Sequence, residues 1–392
     1  MRPDIQTAAF LLLTAAVVAM FTRRLRMPYS VGLVIAGIGL AFLPFAPNVD
    51  LTKDLIFTVL LPPLLFEAAF YIHWPQLRRD FPLIGALATI GVVLSAAVTA
   101  FGMRWFAGWP ESSALVFGTL IAATDPVSVI ATFKEAGARG RLLVLIEAES
   151  LFNDGTAAVA FGVAVTLASG LQAHPLEISL LLAQTVGGGI LCGAAVSLGA
   201  LLLAGKTDDH LVEIAVSAVA AYGSFVLADR LGLSGVLATI TAGLVMGNCR
   251  WFGNISERGE ETMHAFWEFA AFAANSFIFL LIGIHEAHQN FAAVWLPALA
   301  AIGLVTLGRA VSIYPCCALF ARTSLRVGMS HQHILFWGGM RGAVALALAL
   351  GLPADLPQRE TILTVTFAVV AFSVFAQGLT MPSLLRRMGE IT

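Results

Sequence analysis

The chain has 392 residues, 58% of them hydrophobic and 12% charged, with a net charge of −2. A mean hydropathy of +0.87 places it among proteins that cross a membrane many times and excludes a string of soluble domains. Lysine and arginine occur in short clusters between apolar runs, which leaves no basic face for nucleic acid, and Cys192, Cys249, Cys316 and Cys317 lack the spacing of a zinc site or disulfide framework and read as packing residues.

Apolar runs long enough for a hydrocarbon core of roughly 30 Å, about 20 residues each, fall approximately at 5–22, 28–46, 52–72, 81–103, 112–133 and 142–169. Further runs fall near 176–205, 211–230, 233–248, 262–284, 291–320, 331–352 and 360–384. The expected fold is therefore all-α and polytopic, with about thirteen transmembrane helices in a single membrane domain over 1–392. The first run is followed by Arg23, Arg24 and Arg26 without a small-residue cleavage site, so it is expected to remain as a span. Loops after odd-numbered spans, with the C-terminus, hold fifteen lysines and arginines against five in the opposite set. Cytoplasmic loops are enriched in these residues, which predicts an outside N-terminus and a cytoplasmic C-terminus. The chain stops shortly after the last span, so no soluble C-terminal domain is expected.

Polar residues inside these spans carry the functional signal. The third holds Leu61-Pro-Pro-Leu-Leu-Phe-Glu67, with Glu67 at mid-depth after two prolines. In the fifth, Thr124-Asp125-Pro126 interrupts an apolar helix: Pro126 lacks an N–H, so the Ala122 carbonyl loses its helical donor and the backbone opens. Such a break is tolerated at membrane depth where it is buried or lines a cavity, and there carbonyls and a carboxylate can replace part of a cation's hydration shell. The competing reading is a kink in which Asp125 caps the second half-helix.

The sixth span contains Glu147-Ala-Glu-Ser-Leu-Phe-Asn-Asp-Gly155. A charge at the bilayer centre costs roughly 2.5–3.5 kcal/mol on insertion scales, so a purely structural segment would not carry three carboxylates. Helical spacing puts Glu147, Ser150 and Asp154 on one stripe and Glu149 with Asn153 on a neighbouring one. The tenth and eleventh spans carry Glu268, Asn275 and Arg309, read as packing-network groups. The twelfth contains Trp337-Gly-Gly-Met-Arg341-Gly342, three glycines around a lone cation. Arg341 stays charged and needs a buried anion, for which Glu149 is the choice. The fifth and twelfth spans stand seven apart, as two inverted repeats with broken, crossing helices at the midplane would place them. His331 and His333 at the entrance to the twelfth span are candidate pH sensors.

Six segments in order now carry a family likeness: Leu61–Glu67, Thr124-Asp-Pro-Val-Ser128, Glu149–Gly155, Phe266-Trp-Glu-Phe269 with Asn275, Gly308-Arg-Ala310 and Gly338-Gly-Met-Arg-Gly-Ala-Val344. The chain resembles the bacterial NhaP-type sodium/proton antiporters of the cation:proton antiporter-1 group over nearly its whole length. That resemblance implies a homodimer in the lipid bilayer of the cell membrane. It implies a mobile core of spans at about 81–169 and 291–384 moving against a dimerisation part at about 5–72 and 176–284. It implies Asp154 as the ion- and proton-carrying carboxylate, with Asp125, Ser150, Glu67 and the Thr124 carbonyl around a transported Na+ and Pro126 in support. Glu149 with Arg341 would be the family's internal ion pair, and Asn153 replaces the second aspartate of electrogenic relatives. Regulation by the long C-terminal tail of animal members is not carried over from the resemblance.

Oxygen ligands of this kind suit a hard monovalent cation, and no prosthetic group or resident cofactor is expected beside the transported Na+ and H+. If one carboxylate binds either the cation or a proton, alternating access couples the two fluxes, and Asn153 beside Asp154 predicts electroneutral one-for-one exchange. Selectivity among Na+, Li+ and K+ lies in cavity size, which leaves a potassium/proton antiporter of the same fold as the alternative. An intramembrane aspartyl protease also uses two aspartates on adjacent spans, but its Tyr-Asp and Gly-x-Gly-Asp contexts are absent, and a channel would conduct without proton coupling.

Overall fold

The computed structural model describes residues 5–25, 27–43, 51–125, 130, 133, 140–169, 175–205, 209–248 and 257–390. Among them no strand occurs, and the helices follow the predicted spans in order. They are α1 (Ile5–Leu25), α2 (Tyr29–Ala41), α3 (Leu55–Tyr71), α4 (Trp74–Phe106), α5 (Glu111–Leu120), α6 (Arg141–Ala168) and α7 (Pro175–Ala204). After these come α8 (His210–Arg230), α9 (Gly235–Gly247), α10 (Glu257–Glu286), α11 (Trp295–Leu319), the halves α12a (Met329–Gly338) and α12b (Ala343–Leu350), and α13 (Arg359–Met388). Nine stretches of the described chain are long and apolar enough to cross a membrane, and α2, α3 and α9 are shorter apolar helices.

The boundaries depart from the hydropathy reading where charge is locally satisfied. The fourth span, read as starting at 81, begins at Trp74 and takes in Arg78, Arg79 and Asp80. Asp80 is buried because the Arg141 guanidinium donates to its Oδ1 from Nε at 2.9 Å and from Nη2 at 2.7 Å. In α3 the two prolines sit at the start of its α-helical part, directly after a wide π-turn at Leu55–Leu60. The widened turn absorbs the missing N–H groups, so the helix continues through the prolines.

The chain forms two compact units. The first gathers the described residues of Met1–Lys53, Asp80–Leu171 and Ser276–Thr392. Small residues let its backbones approach closely, as lipid-embedded helix pairs require. A Cβ on Gly37 of α2 would collide with the Leu280 carbonyl of α10, and one on Gly283 would collide with the Val34 carbonyl. Where α4 packs on α11, a Cβ on Gly308 would lie 3.0 Å from the Ser95 carbonyl oxygen.

The second unit gathers the described residues of Asp54–Arg79 and Gln172–Asn275. Its core joins Phe66 and Phe70 of α3, Leu201 of α7, Ala220 and Ala221 of α8, Ala242 and Met246 of α9 and Met263 and Trp267 of α10. The Phe66 and Trp267 rings stand 4.4 Å apart, and the Trp267 indole donates to Ser217 Oγ at 3.0 Å, which satisfies its one polar atom in an apolar core.

Candidate functional site

Two chain breaks meet in the first unit. The fifth span stops being helical at Leu120, turns through Ile121 and Ala122 and is non-helical at 123–125. The backbone thus opens at the level of Ala122, whose carbonyl is the one expected to lose its helical donor; Pro126 itself lies outside the described residues. The twelfth span opens between Gly338 and Ala343. The Asp125 N–H donates to the Met340 carbonyl at 2.8 Å, so one opened backbone satisfies the other. The Asp125 carboxylate rests on Gly342, where any Cβ would strike it, at the head of α12b. An anion there faces the unsatisfied N–H groups of a helix start.

α6 supplies the other side. Glu149, Ser150, Asn153 and Asp154 are all buried, whereas Glu147 is half-buried, so the polar residues of the two predicted stripes converge without it. The Ser150 hydroxyl donates to the Thr124 carbonyl at 2.7 Å and accepts from Thr124 Oγ1 at 3.2 Å. The residues expected around a cation, Thr124, Asp125, Ser150 and Asp154, therefore stand together; Asp125, Glu149 and Arg341 are the charged groups acting on Asp154. Asp154 Oδ1 and Asn153 Oδ1 are buried without a hydrogen-bond partner among the described residues. Glu67 lies on α3, in the second unit, half-buried.

The expected Glu149–Arg341 pair is not formed. Glu149, 2% exposed, receives both arms of Arg309: Nη1 donates to Oε1 at 2.7 Å and Nη2 to Oε2 at 2.9 Å. Arg309 Nη2 also donates to the Leu335 carbonyl in the last turn of α12a at 3.0 Å. A fork of this shape saturates a carboxylate. The room for it comes from Gly339, where a Cβ would collide with the Arg309 guanidinium. Asn153 Nδ2 reaches Glu149 Oε1 only at 3.4 Å. Arg341 sits in the break itself, 2% exposed, with Nε and Nη1 lacking partners among the described residues and Arg309, Glu149 and Asp154 as its charged neighbours.

Arg309 is thus the site residue that sequence reasoning assigned to packing. Its signal was present, a lone cation in an apolar span; hydropathy could not decide which of two buried arginines reaches Glu149. Glu268 of α10 is exposed and belongs to the second unit. His331 Nε2 stands 2.9 Å from Glu390 Oε1, and His333 Nδ1 stands 2.8 Å from the Tyr314 hydroxyl, so both histidines are engaged at the start of α12a.

Comparison with known proteins is consistent over the full length. Residues 11–387 match the family described as sodium/hydrogen exchanger, transmembrane. The chain is 40% identical over 369 residues to the Na(+)/H(+) antiporter ApNhaP of Aphanothece halophytica, covering 93% of this chain and 70% of that one. It is 32% identical over 411 residues to the Na(+)/H(+) antiporter NhaP of Pseudomonas aeruginosa, covering 97% and 96%. The structure of the sodium proton antiporter MjNhaP1 from Methanocaldococcus jannaschii at pH 8 superposes with a TM-score of 0.73 at 21% identity, covering 98% of this chain and 96% of that one.

Proposed function

Because the chain belongs to the sodium/hydrogen exchanger family, we propose that it exchanges Na+ for H+ across the cell membrane, with Asp154 taking up one or the other. It is a multi-pass membrane transporter and not an enzyme. The observation that carries the exchange mechanism is the charge of the buried cluster. Asp125, Glu149 and Asp154 face Arg309 and Arg341, which leaves a single negative charge when all five are ionised. One monovalent cation or one proton neutralises it. Burial makes the charged state costly, so the core crosses loaded with one of the two and not empty. Glu149 is neutralised by Arg309 in both states, and Asn153 has no proton to give, which supports one-for-one electroneutral exchange.

The Ser150 hydroxyl has two uses in this cycle. Donating to the Thr124 carbonyl, it satisfies that oxygen when no cation is bound. Rotated, it turns a lone pair toward the ion and releases the carbonyl to do the same. Asp154 supplies the charge and Asp125 lies alongside. Protons compete with Na+ for one carboxylate, so the apparent KM for Na+ falls as pH rises.

The transport cycle moves the segments 81–169 and 291–384 against a dimerisation part in a homodimer, with the N-terminus outside and the C-terminus cytoplasmic. In sealed proteoliposomes an imposed Na+ gradient should drive protons the other way, with a reversal point at equal Na+ and H+ ratios that is unmoved by potentials set with valinomycin and potassium. A reversal point that shifts with voltage would overturn the one-for-one assignment, and an absent proton flux would overturn the antiport reading.

A further inference from the structure

The last four carbonyls of a helix lack intrahelical donors, and in α12a they lie next to the break that carries Met340. Three of the four have described partners. Leu335 is capped by Arg309, Gly338 by the Met340 N–H at 2.8 Å, and Trp337 by Gln377 Nε2 at 3.3 Å. Gln377 belongs to α13, where a π-turn at Ser373–Gly378 widens the helix, and it is buried. Three residues on, Thr380 Oγ1 accepts the Trp337 indole N–H at 2.9 Å. One residue is therefore held at its carbonyl and at its ring by two positions of the same helix. Wide turns of this kind re-aim side chains and recur at functional sites.

We propose that Gln377 and Thr380 are positioning residues that hold the broken end of α12a in register, so that the Met340 carbonyl meets Asp125 and the cation ligands keep their spacing. Neither touches the cation; they act through Trp337, three residues before Met340. A narrow crevice lined by Thr306, Arg309, Phe336, Gly339, Ser373 and Gln377, with room for about one water (about 10 Å³), lies beside the end of α12a. The Arg309 Nε has no hydrogen-bond partner among the described residues, so the guanidinium contributes nothing from that edge to resist a shift. Movement of Gly339 and Met340 would loosen the crossing and change the size of the cation cavity, which is where discrimination among ions of one charge resides.

The proposal rests on the sodium/proton reading for its kinetic arm alone. The test uses the full chain in lipid, as wild type, Gln377→Leu, Thr380→Val and Thr380→Ser. Thr380 is exposed, so its variants keep the fold even if the buried substitution does not. Hydrogen–deuterium exchange at the Asp125 amide should speed up roughly fivefold in Gln377→Leu and about twofold in Thr380→Val, in line with losing one modest hydrogen bond, and stay at the wild-type rate in Thr380→Ser. In proteoliposomes the same order should hold for the Na+ KM, with Vmax per folded protein retained and the Li+ to Na+ KM ratio altered. An unchanged Asp125 exchange rate in both Gln377→Leu and Thr380→Val overturns the proposal, as does a fall in Vmax with KM and ion ratio untouched. Should wild type show no sodium-driven proton flux, the antiport reading fails while the amide measurement still decides the positioning role.

Discussion

Replacing Arg309 with methionine should be among the most damaging single changes in the first unit, and its cost can be worked from the contacts. The substitution keeps most of the side-chain length and removes two charge-assisted hydrogen bonds to Glu149, at 2.7 and 2.9 Å, and a third to the Leu335 carbonyl. Glu149 is left 2% exposed with the Asn153 amide at 3.4 Å, too long to compensate, and with Arg341 as a charged neighbour that donates no hydrogen bond to it. Stranding one member of a buried pair costs about 3–5 kcal/mol, and the loss at Leu335 adds about 1 kcal/mol. The assay is a double-mutant cycle on thermal and denaturant stability in detergent, with Glu149→Gln as the second change. Arg309→Met and Glu149→Gln together should be less destabilised than the sum of the single changes, by about 1–3 kcal/mol for groups in direct contact. The same cycle with Arg341→Met in place of Arg309→Met should give a smaller coupling, since Glu149 accepts no hydrogen bond from Arg341. Strict additivity for Arg309 and Glu149, with coupling for Arg341 and Glu149, would refute the assignment of the pair.

Three further outcomes follow from the same geometry. Gly342→Ala should abolish exchange because its methyl would meet the Asp125 carboxylate, whereas Gly303→Ala, which meets nothing within 4 Å, should leave exchange intact; transport by both variants in everted vesicles checks this. Ser150→Ala should raise the Na+ KM about tenfold, roughly 1.4 kcal/mol, by removing one ligand and the group that satisfies the Thr124 carbonyl between cations; an unchanged KM would take Ser150 out of the site. The apparent KM for Na+ should fall as pH rises while Vmax stays level, and a KM independent of pH would argue against a shared carboxylate.

Much of this site was legible because burying charge in lipid is expensive. Three carboxylates in one apolar helix, a Thr-Asp-Pro interruption and a glycine-flanked arginine stand out against hydropathy, and the helices around them formed where the apolar runs lay. What hydropathy could not supply is the rotational setting of each helix, because an apolar lipid face and an apolar protein face look alike. That is why the sequence pointed to Arg341 as the partner of Glu149 and left Arg309 among packing groups, whereas the fold lays the Gly339 backbone over Arg309 and turns its guanidinium onto Glu149. The start of α4 was missed for a related reason: Asp80 reads as a loop residue by its charge, and it is helical and buried because Arg141 neutralises it from a position 61 residues away. The grip of Gln377 on Trp337 has no sequence periodicity at all, since it depends on a widened turn in α13.

The central claim is that one buried carboxylate is loaded by a sodium ion or by a proton but never by both. Calorimetric titration of the purified, lipid-reconstituted protein with Na+, repeated in buffers of different ionisation enthalpy, counts protons released per ion bound. One proton should leave for each Na+ taken up by the wild type, and Asp154→Asn should give no saturable sodium heat while keeping its fold. Saturable sodium binding without proton release, or sodium binding retained by Asp154→Asn, would contradict the account.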